Sequence, residues 1–561
     1  MKRRASLISF ALVIILVGAP WFSIVAHANG WHFGMTATSD IRISQGFGFT
    51  MAIKGDKSLW AWGSGVLGDG INRNFWVGDH TASPIKIMDQ VASVASVRHR
   101  TFAITTDGVL YAWGSGALGD GREYTLGSPA LTPVRIMDSV VSVTAYDTSE
   151  VVNVYSTFAI TTDGSLWAWG TGQLGDGIRR EMFDGNPALT PVRIMDSVVS
   201  VYTGYDRTYA IQSNGSLWAW GATASGLLGC GTVGDWNDFR TTPIKIMDSI
   251  ASVYIGPSST MVLDTDGRLW AWGTGPVGDG SLHSWERPLT TPVMIMDDVV
   301  SISESKALRA DGSLWAWGYS FPGDGTVRSW DRPALSPIRV MDSVAIILET
   351  GYRYSMVITT DGRLWAWGSN LGGQLGDGTA SGFDYGTGEI FYYEDYGLED
   401  DEFIYIDNDR PTPVMILDAV VYASTFYHYG PGSTIAIRTD GSMWVWGSND
   451  NGQLGDGTST RHYSPVKISG DTDWIGSAAS SDTASDSDPD AMTETPPDHT
   501  AQQETPESSD ETETGRNPGS TPTTESRTSM PVWLIIICAV LFMIACVSIA
   551  LIFVIKRKTG R

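Results

Sequence analysis

The sequence predicts an all-β fold made of repeated sheets, and three observations carry that prediction. A segment ending in an aromatic residue, a small residue, Trp and Gly occurs eight times, as SLWAWG at 58, 165, 216 and 313, VLYAWG at 109, RLWAWG at 268 and 363, and SMWVWG at 442. Its second Trp falls at 62, 113, 169, 220, 272, 317, 367 and 446, in steps of 51, 56, 51, 52, 45, 50 and 79 residues. Self-similarity at such a period marks units that bury their apolar faces against one another. Seven of the eight copies follow an Asp-Gly or Asn-Gly pair set between two apolar runs, at Asp107, Asp163, Asn214, Asp266, Asp311, Asp361 and Asp440, which is the strongest short-range sign of a hairpin.

Each unit reads as several short antiparallel strands. A stretch such as TPVRIMDSVVSV leads into TFAITTDGSLWAWG, and the expected turn at Asp163-Gly164 is type I′, with positive φ at both central residues. On a strand, Trp167 and Trp169 share one face and Ala168 takes the other. A bulky face of one sheet can then pack on a small-residue face of its neighbour, which accounts for 15 of the 23 Trp as core rather than as a ligand-stacking or light-absorbing array.

Two sequence patterns invite a chemical reading and lose it on their spacing. Gly63-Ser64-Gly65-Val66-Leu67-Gly68 satisfies G-x-G-x-x-G, but a dinucleotide fingerprint must follow a strand and open a helix in a parallel unit. Here the pattern runs into the turn sequence LGDG and recurs at 114, 170 and 273, so it signals a turn, and no cofactor is expected. The acid of LGDG recurs as Asp69, Asp120, Asp176, Asp279, Asp324, Asp377 and Asp456, with Cys230 in one copy. A hard cation needs several oxygens at one point, so no metal is expected, and each Asp is assigned to its own turn backbone.

The text LWAWGSNLGGQLGDG (364 to 378) and MWVWGSNDNGQLGDG (443 to 457) resembles the regulator of chromosome condensation (RCC1-type) repeat, a family also found in secreted bacterial proteins including a β-lactamase inhibitor. The resemblance covers about 39 to 476 and implies an RCC1-like β-propeller of four-stranded blades, usually seven; eight motif copies leave seven or eight blades open. Two departures stand out: the copy number, and the near-absence of the family's His before the inner strand, where this chain reads GFGFT at 46, GYDRT at 204 and GYRYS at 351, with VRHRT at 97 keeping one His. Ring closure is expected to use SPVKI (464 to 468), read as the first strand of a unit, to complete the blade begun by 41 to 53.

Outside the strands, the loops following LGDG carry the candidate site. They hold Phe75, Trp76, Tyr124, Phe183, Trp236, Phe239, Trp285 and Trp330, residue types enriched at interface hot spots, and equivalent positions of a propeller fall on one rim. The alternative is that these aromatics fold back onto blade edges. An insertion at 379–410 holds ten Asp and Glu and five Tyr, including Tyr392, Tyr393 and Tyr396. It reads as a solvated acidic loop, as a partner-binding arm, or as a calcium site around Glu399, Asp400, Asp401 and Glu402, which lacks the alternating ligand spacing of a calcium loop.

The two ends predict where the propeller is displayed. Lys2, Arg3 and Arg4, the apolar run Leu7 to Val17 and the small residues Ala26 and Ala28 read as a signal peptide over 1–28. The propeller then occupies 29–476, and 477–530 is a Ser, Thr, Pro and acid-rich stalk with too few apolar residues to order itself. Residues 531–555 carry no charge and are long enough for a transmembrane helix. Lys556, Arg557, Lys558 and Arg561 orient the tail 556–561 to the cytoplasm.

With one Cys, Cys230, in the ectodomain and Cys538 and Cys546 in the span, no extracellular disulfide framework is available. A net charge of -25 argues against nucleic acid as partner. No metalloprotease H-E-x-x-H or G-x-S-x-G elbow is present. The expected function is therefore a membrane-anchored surface propeller, bacterial, that binds another protein through its rim. The rival readings are an extracellular hydrolase of cell-wall glycan or peptide using paired rim acids, and a guanine-nucleotide exchange regulator, as known for some relatives.

Overall fold

The computed structural model describes residues 28–29, 32–37 and 43–468, apart from 75–77, 148–154, 181–185, 236–237, 330, 349–352, 385–389, 392–403 and 427–431. The predicted stalk and membrane span lie outside the described residues, as does the signal peptide up to residue 27.

Eight four-stranded antiparallel blades follow one another along the chain. Blade 4 shows the plan: an innermost strand Val198–Gly204, a second strand Arg207–Gln212, a third Leu217–Ala222 carrying the two Trp, and an outer strand Phe239–Met247. Innermost strands of neighbouring blades touch around the axis, and that of blade 8, Val420–Phe426, touches that of blade 1, Ile43–Gly46. The ring therefore closes with eight blades.

Sequence order and blade boundaries differ by one strand from the predicted unit. The stretch TPVRIM belongs to the outer strand of the preceding blade, as Ala188–Met195 pairs with Leu166–Gly170. The chain then reverses at the MDS turn, where Ser197 has φ 58°, and enters the next blade on its innermost strand. The same offset corrects the expected closure. His462–Lys467 pairs with Met443–Gly447 of its own blade 8, while blade 1 takes its outer strand from His80–Met88. No strand is shared between the ends of the ring, so side chains close it.

Those side chains are the tryptophans. Trp62, Trp113, Trp169, Trp220, Trp272, Trp367 and Trp446 are fully buried, and each packs into the core of the preceding blade: Trp169 lies among Phe102, Ala112 and Leu118 of blade 2, and Trp62 among Ile435, Val445 and Leu454 of blade 8. The first Gly of each LGDG makes room for the incoming ring. A Cβ at Gly455 would stand 2.5 Å from the Trp62 indole, and one at Gly229 2.7 Å from that of Trp272. At five joints the indole N–H donates to a loop carbonyl of the preceding blade, as Trp62 does to Gln453 O at 2.8 Å and Trp272 to Leu227 O at 2.8 Å, whereas those of Trp113 and Trp169 are buried without a partner among the described residues. The expected pairing of a bulky face with a small-residue face is seen at six joints, where Trp113, Trp169, Trp220, Trp272, Trp317 and Trp446 share a buried cluster with the WAW-segment Ala of the preceding blade, while Trp62 meets Val445 at that position; burial of so large an aromatic removes most of its surface from water.

The Asp-Gly turns form as predicted but with a different geometry. Gly164 has φ 78° while Asp163 stays out of the left-handed region, and Gly164 N donates to Thr161 O at 2.8 Å. This is a type I turn followed by a glycine bulge, not type I′. Asp163 stays in the ordinary conformation because its carboxylate is occupied, accepting from Ser165 N at 3.0 Å and Thr161 Oγ1 at 2.6 Å.

Between Ala28–Asn29 and His32–Ala37 runs a small antiparallel pair, and the latter strand lies beside Val140–Asp147, extending blade 3 at its inner edge. In the insertion, Gly382–Asp384 pairs with Ile390–Phe391 and Ile404–Ile406 to form a three-stranded sheet. The chain rejoins blade 7 at Arg410–Leu417.

Hydrogen bonds from Thr161 and Ser165 hold the Asp163 carboxyl down to about 2, and those from Ser58, Ser313, Thr359 and Ser442 lower Asp56, Asp311, Asp361 and Asp440. A carboxyl whose folded pKa is depressed contributes stability that is complete above its unfolded value, near 3.8, and lost as pH falls through the folded value. The expected outcome is a calorimetric Tm that falls between pH 4 and 2. Replacing Asp163, Asp311, Asp361 and Asp440 with Asn should flatten that part of the curve; an unchanged slope would remove these turns as its source.

Candidate functional site

One face of the ring gathers all the variable structure. In each blade the hairpin joining the first two strands and the long loop joining the last two open on the same side, as hydrogen bonds from Ser64 N to Gly48 O (2.8 Å) and Ala222 N to Asp206 O (2.9 Å) record. The opposite face carries the Asp-Gly and MDS turns. Loops held by a rigid scaffold are where binding residues collect.

The LGDG aspartates organise the long loops, and each does so through its own backbone as expected. Asp176 accepts from Ile178 N at 3.1 Å, Asp279 from Ser281 N at 3.0 Å and Asp456 from Thr458 N at 3.0 Å. A second partner comes from further along the loop: Arg73 on Asp69, Tyr124 on Asp120, Arg180 on Asp176, His283 on Asp279, Arg328 on Asp324, Arg410 on Asp377 and His462 on Asp456. These clasps shape the rim.

Three of the predicted rim aromatics are described. Tyr124 donates to Asp120 Oδ2 at 2.8 Å and packs on the blade 2 core, so it folds back as a structural residue. Phe239 opens the outer strand of blade 4, half-buried, with the Arg179 guanidinium 5.6 Å from its ring centre. Trp285 is 65% exposed, at the tip of a turn closed by Arg287 N on Ser284 O. Phe75, Trp76, Phe183, Trp236, Trp330, Tyr392, Tyr393 and Tyr396 lie outside the described residues, as do Glu399 to Glu402.

Apolar side chains missed at the sequence level join Trp285 on the loops. Of the fourteen exposed large hydrophobic residues among those described, seven sit on these loops: Ile71, Leu126, Ile178, Val233, Leu282, Trp285 and Val327. Five of the seven come immediately or one residue after the LGDG-type turn, a regularity the repeats contain but aromatic content conceals.

The short hairpins around the axis carry buried charge. Arg100 of blade 2 reaches blade 3, bonding Thr157 Oγ1 at 2.9 Å and pairing with Asp147. Arg207 of blade 4 donates to Gly256 O and Ser259 O of blade 5. Arg98, Tyr205, Asp206, Ser305 and Arg353 all hold positive φ in these turns. Non-glycine residues in that region are uncommon and collect at functional sites.

Blade 6 breaks the pattern. From the MDS-type turn to the Asp-Gly glycine there are 18 positions in blade 4 (Ser197 to Gly215) and in blade 5 (Ser249 to Gly267), but 14 in blade 6 (Asp298 to Gly312). The innermost and second strands shrink to Val299–Ser303 and Lys306–Arg309, joined at Glu304-Ser305. Four residues are thus gone from the top of one hairpin, and they belong to the shortest step in the repeat series, 45 residues.

The consequence is a notch, which the glycine after each WAW segment makes plain. At Gly221 and Gly368 a Cβ would lie 2.2 and 2.3 Å from the carbonyl oxygen of the hairpin crossing above, whereas at Gly318 the nearest atom is Ser305 Oγ at 3.3 Å. A cavity of about 150 Å³ fills the vacated space, walled by Tyr254, Trp317, Tyr319 and Phe321, with Glu304 and Lys306 at the shortened turn and Arg353 from blade 7. Burial pushes the Glu304 carboxyl above its ordinary value, with Lys306 pulling the other way.

Comparison with known proteins agrees with the repeat reading. Residues 346–374 and 440–484 match family models described as the regulator of chromosome condensation (RCC1) repeat. The chain is similar to the RCC1 domain-containing protein RUG3, mitochondrial, of Arabidopsis thaliana, 28% identical over 39% of this chain and 50% of that protein. It is also similar to the ultraviolet-B receptor UVR8 of the same plant, 26% identical over 38% and 48%. It spans about half the length of these relatives. Among solved structures, human WBSCR16 aligns over 73% of this chain and 94% of its own at 16% identity, with a TM-score of 0.43.

The notch makes two equivalent glycines unequal. Gly221→Ala and Gly318→Ala both bear the cost of a left-handed residue, about 1–2 kcal/mol, but only Gly221→Ala adds overpacking against backbone, about 1–3 kcal/mol more. Denaturant unfolding of both variants should show the larger loss for Gly221→Ala, and equal losses would contradict the open space above Gly318.

Proposed function

From the premise that the chain belongs to the regulator of chromosome condensation (RCC1-type) repeat family, we propose that it is a binding module that receives another protein on the loop-bearing face and performs no chemistry of its own. The observation that carries this reading is the recurrence of exposed apolar side chains on the long loops of successive blades, Trp285 at 65% exposed together with Ile178, Val233, Leu282 and Val327. Apolar residues set between the charged clasps of a polar rim are what a protein interface presents. The clasps also weigh against the hydrolase reading, because Asp69, Asp176, Asp324 and Asp377 are each neutralised by an Arg. A general acid or base needs a carboxyl free to exchange its proton with substrate.

The placement proposed for this module is the surface of a bacterial cell. A leader over 1–28, a stalk over 477–530 and an uncharged span at 531–555 followed by basic residues would hold the ring outside with the C-terminus in the cytoplasm. An exterior site also disfavours nucleotide exchange on a cytosolic target.

A photo-crosslinking residue placed at Trp285 in the full chain, expressed in its native cells, should give a discrete adduct that excess full chain competes away. The same residue at Asp196, on the opposite face, should give none. Equal adducts from both positions would overturn the face assignment. Protease added to intact cells should cleave the ring, and its survival would overturn the exterior placement.

A further inference from the structure

The notch of blade 6 has the size and chemistry of a socket for one side chain. Its volume, about 150 Å³, lies well below the roughly 300–1,000 Å³ of pockets that enclose cofactors or drug-sized ligands. It would hold about five waters, or one group the size of a benzene ring. The charges at its edge are unequally engaged. Lys306 Nζ donates to the Glu304 backbone carbonyl at 3.0 Å, and the Arg353 guanidinium lies 5.7 Å from the Phe321 ring centre. The Glu304 carboxylate, half-buried, accepts no hydrogen bond and makes no ion pair within 4.0 Å among the described residues. An ionised carboxylate is acceptor-only, with about four lone-pair sites to satisfy, and a partly desolvated one is costly until a donor arrives.

We propose that this notch receives a single lysine or arginine side chain from the bound protein, its cationic head on the Glu304 carboxylate and its stem against Tyr254 and Trp317. The inference rests on the protein-binding reading and adds the partner's chemistry to it: a basic side chain presented on a protrusion. Three further features agree. Aromatic walls favour a cation with an apolar stem. The chain carries a net charge of -25, which steers basic partners toward it. Burial raises the Glu304 carboxyl, and an incoming cation replaces the hydration that the turn withholds.

The test uses the full chain and four short blocked peptides, Gly-X-Gly with X as arginine, lysine, citrulline or glutamate, titrated by saturation-transfer NMR. The arginine and lysine peptides should bind. The citrulline peptide, neutral and of similar shape to arginine, should bind about tenfold to a hundredfold more weakly, the range set by a hydrogen bond to a charged group. Glu304→Gln should weaken the arginine peptide by a similar factor, and Ser258→Trp, which adds an indole to the cavity lining, should abolish binding. Both variants should keep the Tm of the parent chain. Equal binding of arginine and citrulline peptides, binding undiminished in Glu304→Gln or Ser258→Trp, or binding of the glutamate peptide alone would each overturn the proposal. Loss of the peptide result with a persistent crosslink at Trp285 would remove the socket and leave the protein-binding face. The reverse would remove the face.

Discussion

Everything in this ring depends on one contact made eight times, an indole of one blade lowered onto the LGDG-type turn glycine of the blade before it. The contact joins two requirements in one side chain. The ring supplies the apolar area that a four-stranded sheet cannot bury by itself, and at five of the joints its N–H, which would be costly to bury alone, finds a loop carbonyl, as Trp446 does on Gln374 O at 2.9 Å. The same carbonyl-bearing loop contains the LGDG turn, so the packing that stabilises a joint also fixes the base of the functional loop above it. Because closure uses this contact rather than a shared strand, the seam between blades 8 and 1 is built like any other.

Glycine has two separate tasks in each blade, and they explain why the dinucleotide-like pattern appears without a dinucleotide. Gly63 lets the hairpin backbone cross, with Gly48 O only 2.3 Å from where a Cβ would sit, and Gly68 admits the Trp113 indole. Spaced five residues apart, with the positive-φ Gly65 between them, they reproduce G-x-G-x-x-G from sheet packing alone. The pattern weakens in copies where the middle residues change, yet both outer glycines remain because the backbone and the indole remain.

The notch follows from the same geometry by subtraction. A repeat protein can lose residues from a hairpin tip without loosening its joints, since those joints lie lower on the sheet; Trp317 is still 3% exposed beneath the gap. What changes is the local polarity. In blades 2 and 4 the hairpins carry arginines that reach the next blade, Arg100 and Arg207, whereas the shortened tip of blade 6 carries Glu304 and Lys306. Irregularity in one repeat thus converts a structural position into an open one.

The sequence by itself determined the all-β class, the number and location of the repeats, the Trp strand and the hairpin turns, because each rests on local chemistry: alternation along a strand, turn residues between apolar runs, and recurrence. It also contained the shortest step, 45 residues, without revealing which end of the blade was cut. The tertiary structure decided what depends on residues far apart in the chain. It set the blade boundary one strand away from the apparent unit, since hydrogen bonding and not sequence adjacency defines a sheet. It chose eight blades, and it separated Tyr124, claimed by Asp120 at 2.8 Å, from the exposed Trp285. It also brought Tyr254, Glu304 and Arg353 from three blades around one cavity. No local pattern encodes that meeting, because the distance between blades around an axis is fixed only when the ring closes.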